Sequence, residues 1–284
     1  MPHDAAAFAE WIYRDFGQDF RGYRLAALGR RLRQLCARLQ LPDLTALRGW
    51  LAQDPRRIDH VVDQICVPVS EMFREPGTLA DLRRLVFPML SSFPMITVWH
   101  AGCAAGQEAY SMAILLDEAG LLPRSRIFAS DISTGALAQA ARGLVPAAQL
   151  REAIPRYLAS GGSGALDRHF SRQGQQMRLS PRLMSHISFV RHNLATDAVF
   201  CEANLILCCN VMIYFQRPLQ CRALGLFADS LVRGGHLCLG RRESPIGSDG
   251  RFVPVIGSRE IHCPTVPARP PLSPWLSPPD ERIP

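Results

Sequence analysis

VWHAGCAAGQEAYSMA, residues 98–113, is the stretch whose reading decides the fold. The run ITVW at 96–99 predicts a strand, small residues Gly102, Ala104, Ala105 and Gly106 follow, and from Glu108 onward the apolar spacing turns helical. Small residues between a strand and a helix let the backbone approach a ligand at the carboxyl edge of a parallel sheet. The same pattern serves other nucleotide folds and purely structural turns, so it leaves both open. Glu108 also has two readings. It stabilises the helix N-terminus through the dipole, or it anchors a cationic amino group.

Working toward the C-terminus, residues 126–129 predict a second strand ending in FASDIS, which puts Asp131 at the sheet's carboxyl edge. A carboxylate there can accept hydrogen bonds from two ribose hydroxyls, or it can cap the next helix, a role for which Ser133 and Thr134 also compete. Residues 203–208 predict a later central strand, and 108–118, 135–142 and 218–232 predict helices. Short apolar runs alternating with amphipathic stretches indicate an α/β, doubly wound, Rossmann-like sheet. Residues 156–191 are more polar and less regular and predict an inserted subdomain. The last 21 residues, 264–284, carry eight prolines and predict an extended or disordered tail. Tyr214 follows the later central strand, where an aromatic is ordinarily a core residue.

Working toward the N-terminus, residues 1–75 predict an all-helical domain and 76–263 the catalytic one. Asp4 is expected to cap a helix that turns Phe8, Trp11, Ile12 and Phe16 inward. A second helix, 24–39, sets Leu25, Leu28, Leu32, Leu35 and Leu39 on one side and distributes Arg24, Arg30, Arg31, Arg33 and Arg38 around the rest, with no acidic residue. That is either a solvated face or a docking surface for an acidic partner. Two shorter helices are expected at 44–52 and 56–66.

The chain has 284 residues and a formal charge of +7 carried by arginine. It contains no apolar run near the roughly 20 residues of a membrane span. Nine scattered cysteines without a CxxC pair speak against a disulfide framework and a structural zinc site. We expect a soluble, cytoplasmic monomer.

Six motifs together resemble the CheR-type chemotaxis-receptor glutamate O-methyltransferases. They are VSEMFRE (69–75), VWHAGCAAGQEAYSMA (98–113), IFASDIS (127–133), HNLA (192–195), CCNVMIYF (208–215) and GGHLCLGRRES (234–244), in that family's order. FGQDFRGYRLAALGRRLRQL (16–35) is similar to its helical domain, so the resemblance covers residues 8–263. It implies a methyltransferase domain that binds S-adenosylmethionine, with S-adenosylhomocysteine as product, an N-terminal all-helical domain and a small inserted antiparallel β subdomain.

By that resemblance Ser70 and Arg74 meet the methionine end of the cofactor, Glu108 contacts it in the loop, and Asp131 takes the ribose. Asn193 and Leu194 line the adenine, while Gly102, Cys209 and Asn210 complete the wall. Tyr214, with Arg74, stands at the transferred methyl group. Without the resemblance, Arg74 reads as a surface ion pair with Glu71 or Glu75. Arg30, Arg31 and Arg33 would guide the acidic helical cytoplasmic region of a chemoreceptor or related sensory protein. The short HFSRQGQQMRLS segment implies action independent of a tethering receptor tail.

A glutamate acceptor is ionised at neutral pH and needs no general base, and no metal is required. The chain departs from the family at Cys209, where arginine is common, at Pro68, in the GQEAYS loop, and at Arg241 and Arg242, where histidine and serine are usual. Those departures keep in view a catalytically silent cofactor-binding scaffold. The positive charge keeps in view a nucleic-acid methyltransferase, although Asn210 to Tyr214 lacks the Asn/Asp-Pro-Pro-Tyr run of amino-directed DNA enzymes.

Overall fold

A computed structural model describes residues 2–66, 70–248 and 250–265. Pro68 and residues 266–284 of the tail expected at 264–284 lie outside the described residues, while Pro264 is the last residue of a strand rather than the start of a tail.

The N-terminal segment folds into four helices, α1 (Pro2–Phe16), α2 (Leu25–Arg38), α3 (Leu44–Gln53) and α4 (Ile58–Ile65). Their shared core buries Phe8, Ile12, Leu28, Leu32, Leu35, Leu47, Leu51, Val62 and Ile65. Leu25 and Leu39 are only half-buried, because they stand at the two ends of α2. Asp43 caps α3 by accepting from the Ala46 N–H at 2.8 Å. Asp4 does not take the capping position expected of it. α1 begins at Pro2, so Asp4 lies in the first turn, where a carboxylate still complements the dipole.

Short helices α5 (Pro76–Asp81) and α6 (Phe87–Leu90) lead into the second unit through a π-type turn at Leu82–Val86. Pro88 lacks an N–H and cannot continue the ordinary helical ladder there. The strands are β1 (Ile96–Ala101), β2 (Ser125–Asp131), β3 (Leu144–Pro146), β4 (Phe170–Gln173), β5 (Gln176–Leu179), β6 (Ile187–Arg191), β7 (Ala203–Cys208), β8 (Leu231–Leu239), β9 (Phe252–Pro254) and β10 (Ile261–Pro264). Between them run α7 (Gln107–Glu118), α8 (Thr134–Ala141), α9 (Ala147–Ala159), α10 (Pro181–Met184) and α11 (Arg217–Ser230).

Seven strands form one sheet in the order β6-β2-β1-β7-β8-β10-β9. The pairs β6·β2, β2·β1, β1·β7 and β7·β8 are parallel, and β10 runs antiparallel to both neighbours. The chain winds outward from β1 through β2 to β6 and then returns to the other side of β1 with β7. The crevice beyond the ends of β1 and β7 is therefore the switch point at which such sheets bind ligands.

Every residue of β7 is buried, as its central place requires. The helix expected at 218–232 stops at Ser230, and Leu231 already pairs with Ala203. An irregularity follows, where Gly234 takes φ +79°, before His236 resumes the ladder opposite Leu205. β3, β4 and β5 make a separate antiparallel sheet in the order β3-β5-β4. Its first strand thus comes from upstream of residue 156, and Ile187–Arg191 belongs to the main sheet. Among the described residues no helix is long and apolar enough to cross a membrane, and all nine cysteines are free.

Candidate functional site

Gly102 and Ala104 both turn out of β1 with positive φ, +81° and +48°. At Gly102 a Cβ would lie 2.3 Å from Val211 Cγ2, so only glycine fits between the two loops. The Gly102 and Cys103 N–H groups donate to Ser130 O at 2.8 and 2.9 Å, tying this turn to the end of β2. Asp131 completes the tie. Its Oδ2 accepts from Ala104 N–H at 2.9 Å and its Oδ1 from Ser133 N–H at 3.0 Å. Ser133 itself caps α8, accepting from Ala136 N–H, so Asp131 is not the helix cap. Burial raises the Asp131 carboxyl above its ordinary range, against the lowering effect of those backbone donors.

Across the switch point, Asn210 takes φ +61° and starts the loop after β7. One carboxylate organises that loop. Glu243 Oε2 accepts from the N–H of Asn210 at 2.8 Å and of Gly240 at 2.9 Å, while Oε1 accepts from Val211 at 2.9 Å and Ile213 at 3.3 Å. Four donors on one half-buried anion fix the backbone that presents Tyr214. The loop then docks on the helical unit. Arg24 N–H donates to Tyr214 O at 2.8 Å, Gln216 N–H donates to Gly22 O at 2.8 Å, and Phe215 bridges to Tyr23.

These loops enclose a cavity of about 730 Å³ beyond the ends of β1 and β7. Small-molecule sites commonly fall in this size range, roughly 300–1,000 Å³. Ser70, Arg74, Gly102, Glu108, Asp131, Asn193, Leu194, Cys209, Asn210 and Tyr214 all line it. Of the arginines expected on a docking face, Arg31 also lines it, while Arg30 and Arg33 are exposed elsewhere on α2. Arg31 donates to Ile65 O, and its guanidinium carbon stands 4.5 Å from the Tyr214 ring centroid.

Arg74 pairs with neither Glu71 nor Glu75: Glu71 approaches Arg156 at 3.7 Å, and Glu75 accepts from the Arg241 N–H at 3.2 Å. Glu108, at the second position of α7, makes no hydrogen bond or ion pair with a described residue. Burial pushes its carboxyl up to about 7, with Arg74 acting the other way. Ser70 Oγ and Asn210 Oδ1 are buried and have no hydrogen-bond partner among the described residues. Asn193 Oδ1 accepts from Ala195 N–H at 2.9 Å, holding the turn that buries Leu194. Tyr214 is half-buried against the cavity rather than sealed in the core.

Three contributors went unread in the sequence. Glu243 lay inside a quoted motif, but its acidity alone announces nothing. Asp63 on α4 accepts from Ser133 Oγ at 2.6 Å and Gly135 N–H at 3.2 Å, fastening the helical unit to α8. Tyr23 closes one wall. Only long-range pairing gives these residues their roles.

The sequence pattern of the CheR methyltransferase SAM binding domain matches residues 68–260, and that of the CheR methyltransferase all-alpha domain matches residues 3–66. The chain belongs to the CheR methyltransferase family. It is 38% identical to a protein named Cher3 from Pseudomonas putida, over 89% of this chain and 93% of that one. It is 29% identical to a chemotaxis protein methyltransferase of Listeria innocua, over 86% of this chain and 90% of the other. With a 104.1 kDa protein from Rhodobacter capsulatus it shares 30% identity over 90% of its own length, which is 27% of that longer chain.

As a CheR methyltransferase the protein depends on S-adenosylmethionine. The cavity fits that molecule on its own evidence. Among the described residues, the Glu108 carboxylate and the Arg74 guanidinium have no hydrogen bond or ion pair, and buried oxygens of Ser70 and Asn210 have no hydrogen-bond partner. An amino acid joined to a nucleoside needs that mixture of charges and acceptors.

Proposed function

We propose that this chain methylates the γ-carboxylate of glutamates in the acidic helical cytoplasmic region of a chemoreceptor or related sensory protein. The relatives named as chemotaxis methyltransferases point to that class of acceptor. The observation that carries the reading is the common cavity, in which a cofactor-type lining and the Arg31–Tyr214 pair from two separate units meet.

The cofactor supplies an electrophilic sulfonium methyl group. On this reading Asp131 holds the ribose hydroxyls, Glu108 the ammonium group and Arg74 the carboxylate, with Ser70 at the same end. Asn193 and Leu194 receive the adenine, one through a polar edge and the other through an apolar face. Gly102 and Cys209 shape the wall beside them. Asn210 and Tyr214, fixed by Glu243, orient the acceptor. A glutamate near pKa 4.3 arrives already ionised, so no side chain has to remove a proton. What the protein contributes is alignment, which in well-oriented cases is worth roughly 7 to 11 kcal/mol. Arg31 adds positive charge where the acceptor oxygen approaches, and Arg30 and Arg33 present an exposed basic face to the acidic helices.

The test is incubation with methyl-labelled cofactor and acidic receptor fragments, followed by alkali. Ester formation releases volatile labelled methanol. Tight cofactor binding without release from any fragment would instead indicate a silent scaffold. Label that stays in nucleic acid after alkali would indicate a nucleobase acceptor.

A further inference from the structure

Strand β8 ends at Leu239 and is followed by Gly240-Arg241-Arg242-Glu243, in which the Glu243 N–H donates to Gly240 O at 2.8 Å. That bond closes a β-turn with the two arginines at its central positions. The turn is held from both sides. Glu243's carboxylate binds the Gly240 N–H at 2.9 Å, and Glu75 receives the Arg241 N–H at 3.2 and 3.4 Å. Because the same Glu243 carboxylate also holds the N–H groups of Asn210, Val211 and Ile213, the turn and the loop to Tyr214 share one clamp. Gly240 is the close approach that allows this, since a Cβ there would meet Glu243 Oε2 at 2.8 Å and Asn210 Nδ2 at 2.9 Å.

Both arginines line the cavity. Arg241 stands 4.0 Å from Glu260, but Arg242 is exposed and makes no hydrogen bond or ion pair with a described residue. A fixed backbone thus holds an exposed guanidinium, without a partner among the described residues, at the cavity that Tyr214 also lines. The cofactor's own carboxylate is accounted for by Arg74, and its sulfonium repels another cation. The group that can satisfy Arg242 is therefore an anion brought by the acceptor.

We infer that Arg242 is a specificity-determining residue, pairing with a second carboxylate that flanks the methylated one. This inference rests on the carboxyl-methylation reading above. A planar guanidinium can grip such a carboxylate through two parallel bonds, and serine or histidine at this position could not do so. The pair sits at an exposed rim, so its worth is modest, about three- to fivefold in affinity, and it weakens with salt.

The experiment uses the full chain loaded with S-adenosylhomocysteine and two labelled alanine-rich helical peptides. One carries adjacent glutamates, and in the other the second glutamate is glutamine. Fluorescence anisotropy should show that wild type prefers the first peptide and that Arg242→Ser removes the preference while the melting temperature holds. Arg242→Lys should restore it in part. Equal binding of both peptides by wild type, no binding of either, or an undiminished preference in Arg242→Ser overturns the inference. Methanol release is followed in parallel with methyl-labelled cofactor. A preference lost in Arg242→Ser without methanol from either protein would count against carboxyl methylation and leave the pairing standing. Methanol formed by both proteins with equal KM on both peptides would remove the pairing alone.

Discussion

The Arg31 guanidinium carbon lies 4.5 Å from the centroid of the Tyr214 ring, joining the helical unit to the loop that follows β7. Arg31 is held from behind by the Ile65 carbonyl at the end of α4. Arg31→Ala is expected to lower kcat about tenfold or more, since it removes both a cation–π contact and a charge beside the acceptor position. Arg30→Ala and Arg33→Ala, on an exposed face, should raise KM for the acceptor and spare kcat. Steady-state kinetics on a receptor fragment separates the two outcomes, and identical behaviour of all three variants would contradict the division.

Asp131 offers two oxygens, each already bonded to a backbone N–H. Asparagine would turn an amide N–H₂ toward one of those donors and would lose the charge. Asp131→Asn should weaken S-adenosylhomocysteine binding about tenfold to a hundredfold, the range for charge-assisted hydrogen bonds worth about 1.5–3 kcal/mol. Calorimetric titration measures it, and unchanged affinity would remove Asp131 from the ribose.

Glu108 gives the site a pH signature. Burial pushes its carboxyl up to about 7, so between an ordinary glutamate value near 4.3 and that point the folded chain holds more proton than the unfolded chain. Stability of the ligand-free protein should therefore fall as pH rises through that window, and the full cost remains above it. Binding runs the opposite way. Below about pH 7 the neutral carboxyl no longer attracts an ammonium group, and affinity for S-adenosylhomocysteine should drop. Glu108→Gln is expected to flatten both profiles, melt later than wild type at about pH 8, and bind the nucleoside poorly throughout.

Glu243 should be more costly to alter. Glutamine keeps one acceptor oxygen but sets an amide donor against backbone donors, leaving buried N–H groups unpaired at about 1–3 kcal/mol each. Glu243→Gln is expected to lower kcat by roughly two orders of magnitude with cofactor affinity nearly kept, because the acceptor loop loses its geometry. A variant that lost only thermal stability, with kcat intact, would reduce this carboxylate to a scaffold.

Gly102→Ala places a Cβ 2.3 Å from Val211 Cγ2 and strains a φ of +81°. It should destabilise the protein and weaken cofactor binding. Val211→Ala in the same chain should recover the steric part but not the backbone part, a coupling that a double-mutant cycle measures directly.

The sheet's centre was legible because it is dry. β7 is buried along its whole length, and the 203–208 expectation coincides with it; β1 runs only two residues beyond the expected 96–99. The small antiparallel sheet was implied by the resemblance, but its strands β3, β4 and β5 could not be placed from the residues, because they are three or four residues long and β4 and β5 mix polar with apolar positions. The break between α11 and β8 was missed because no turn residue separates Ser230 from Leu231. At the site, glycine and aspartate beside a strand end could be read from position. Glu243 and Asp63 could not, since their partners lie some 30 and 70 residues away in the chain. Arg30, Arg31 and Arg33 of α2 were read as one docking surface, but successive helical residues turn by about 100°, and that rotation sends Arg31 inward.

Asp63 reaches from α4 to the head of α8, immediately past the carboxylate at the end of β2. A ligand that steadies the β2–α8 corner must also steady the four-helix unit fastened to it. By thermodynamic reciprocity, an acceptor seized by those helices would tighten the grip on the nucleoside by the same factor with which the nucleoside tightens the grip on the acceptor. Recognition and fuel loading would then be two handles on a single lever, with Asp63 as its pin.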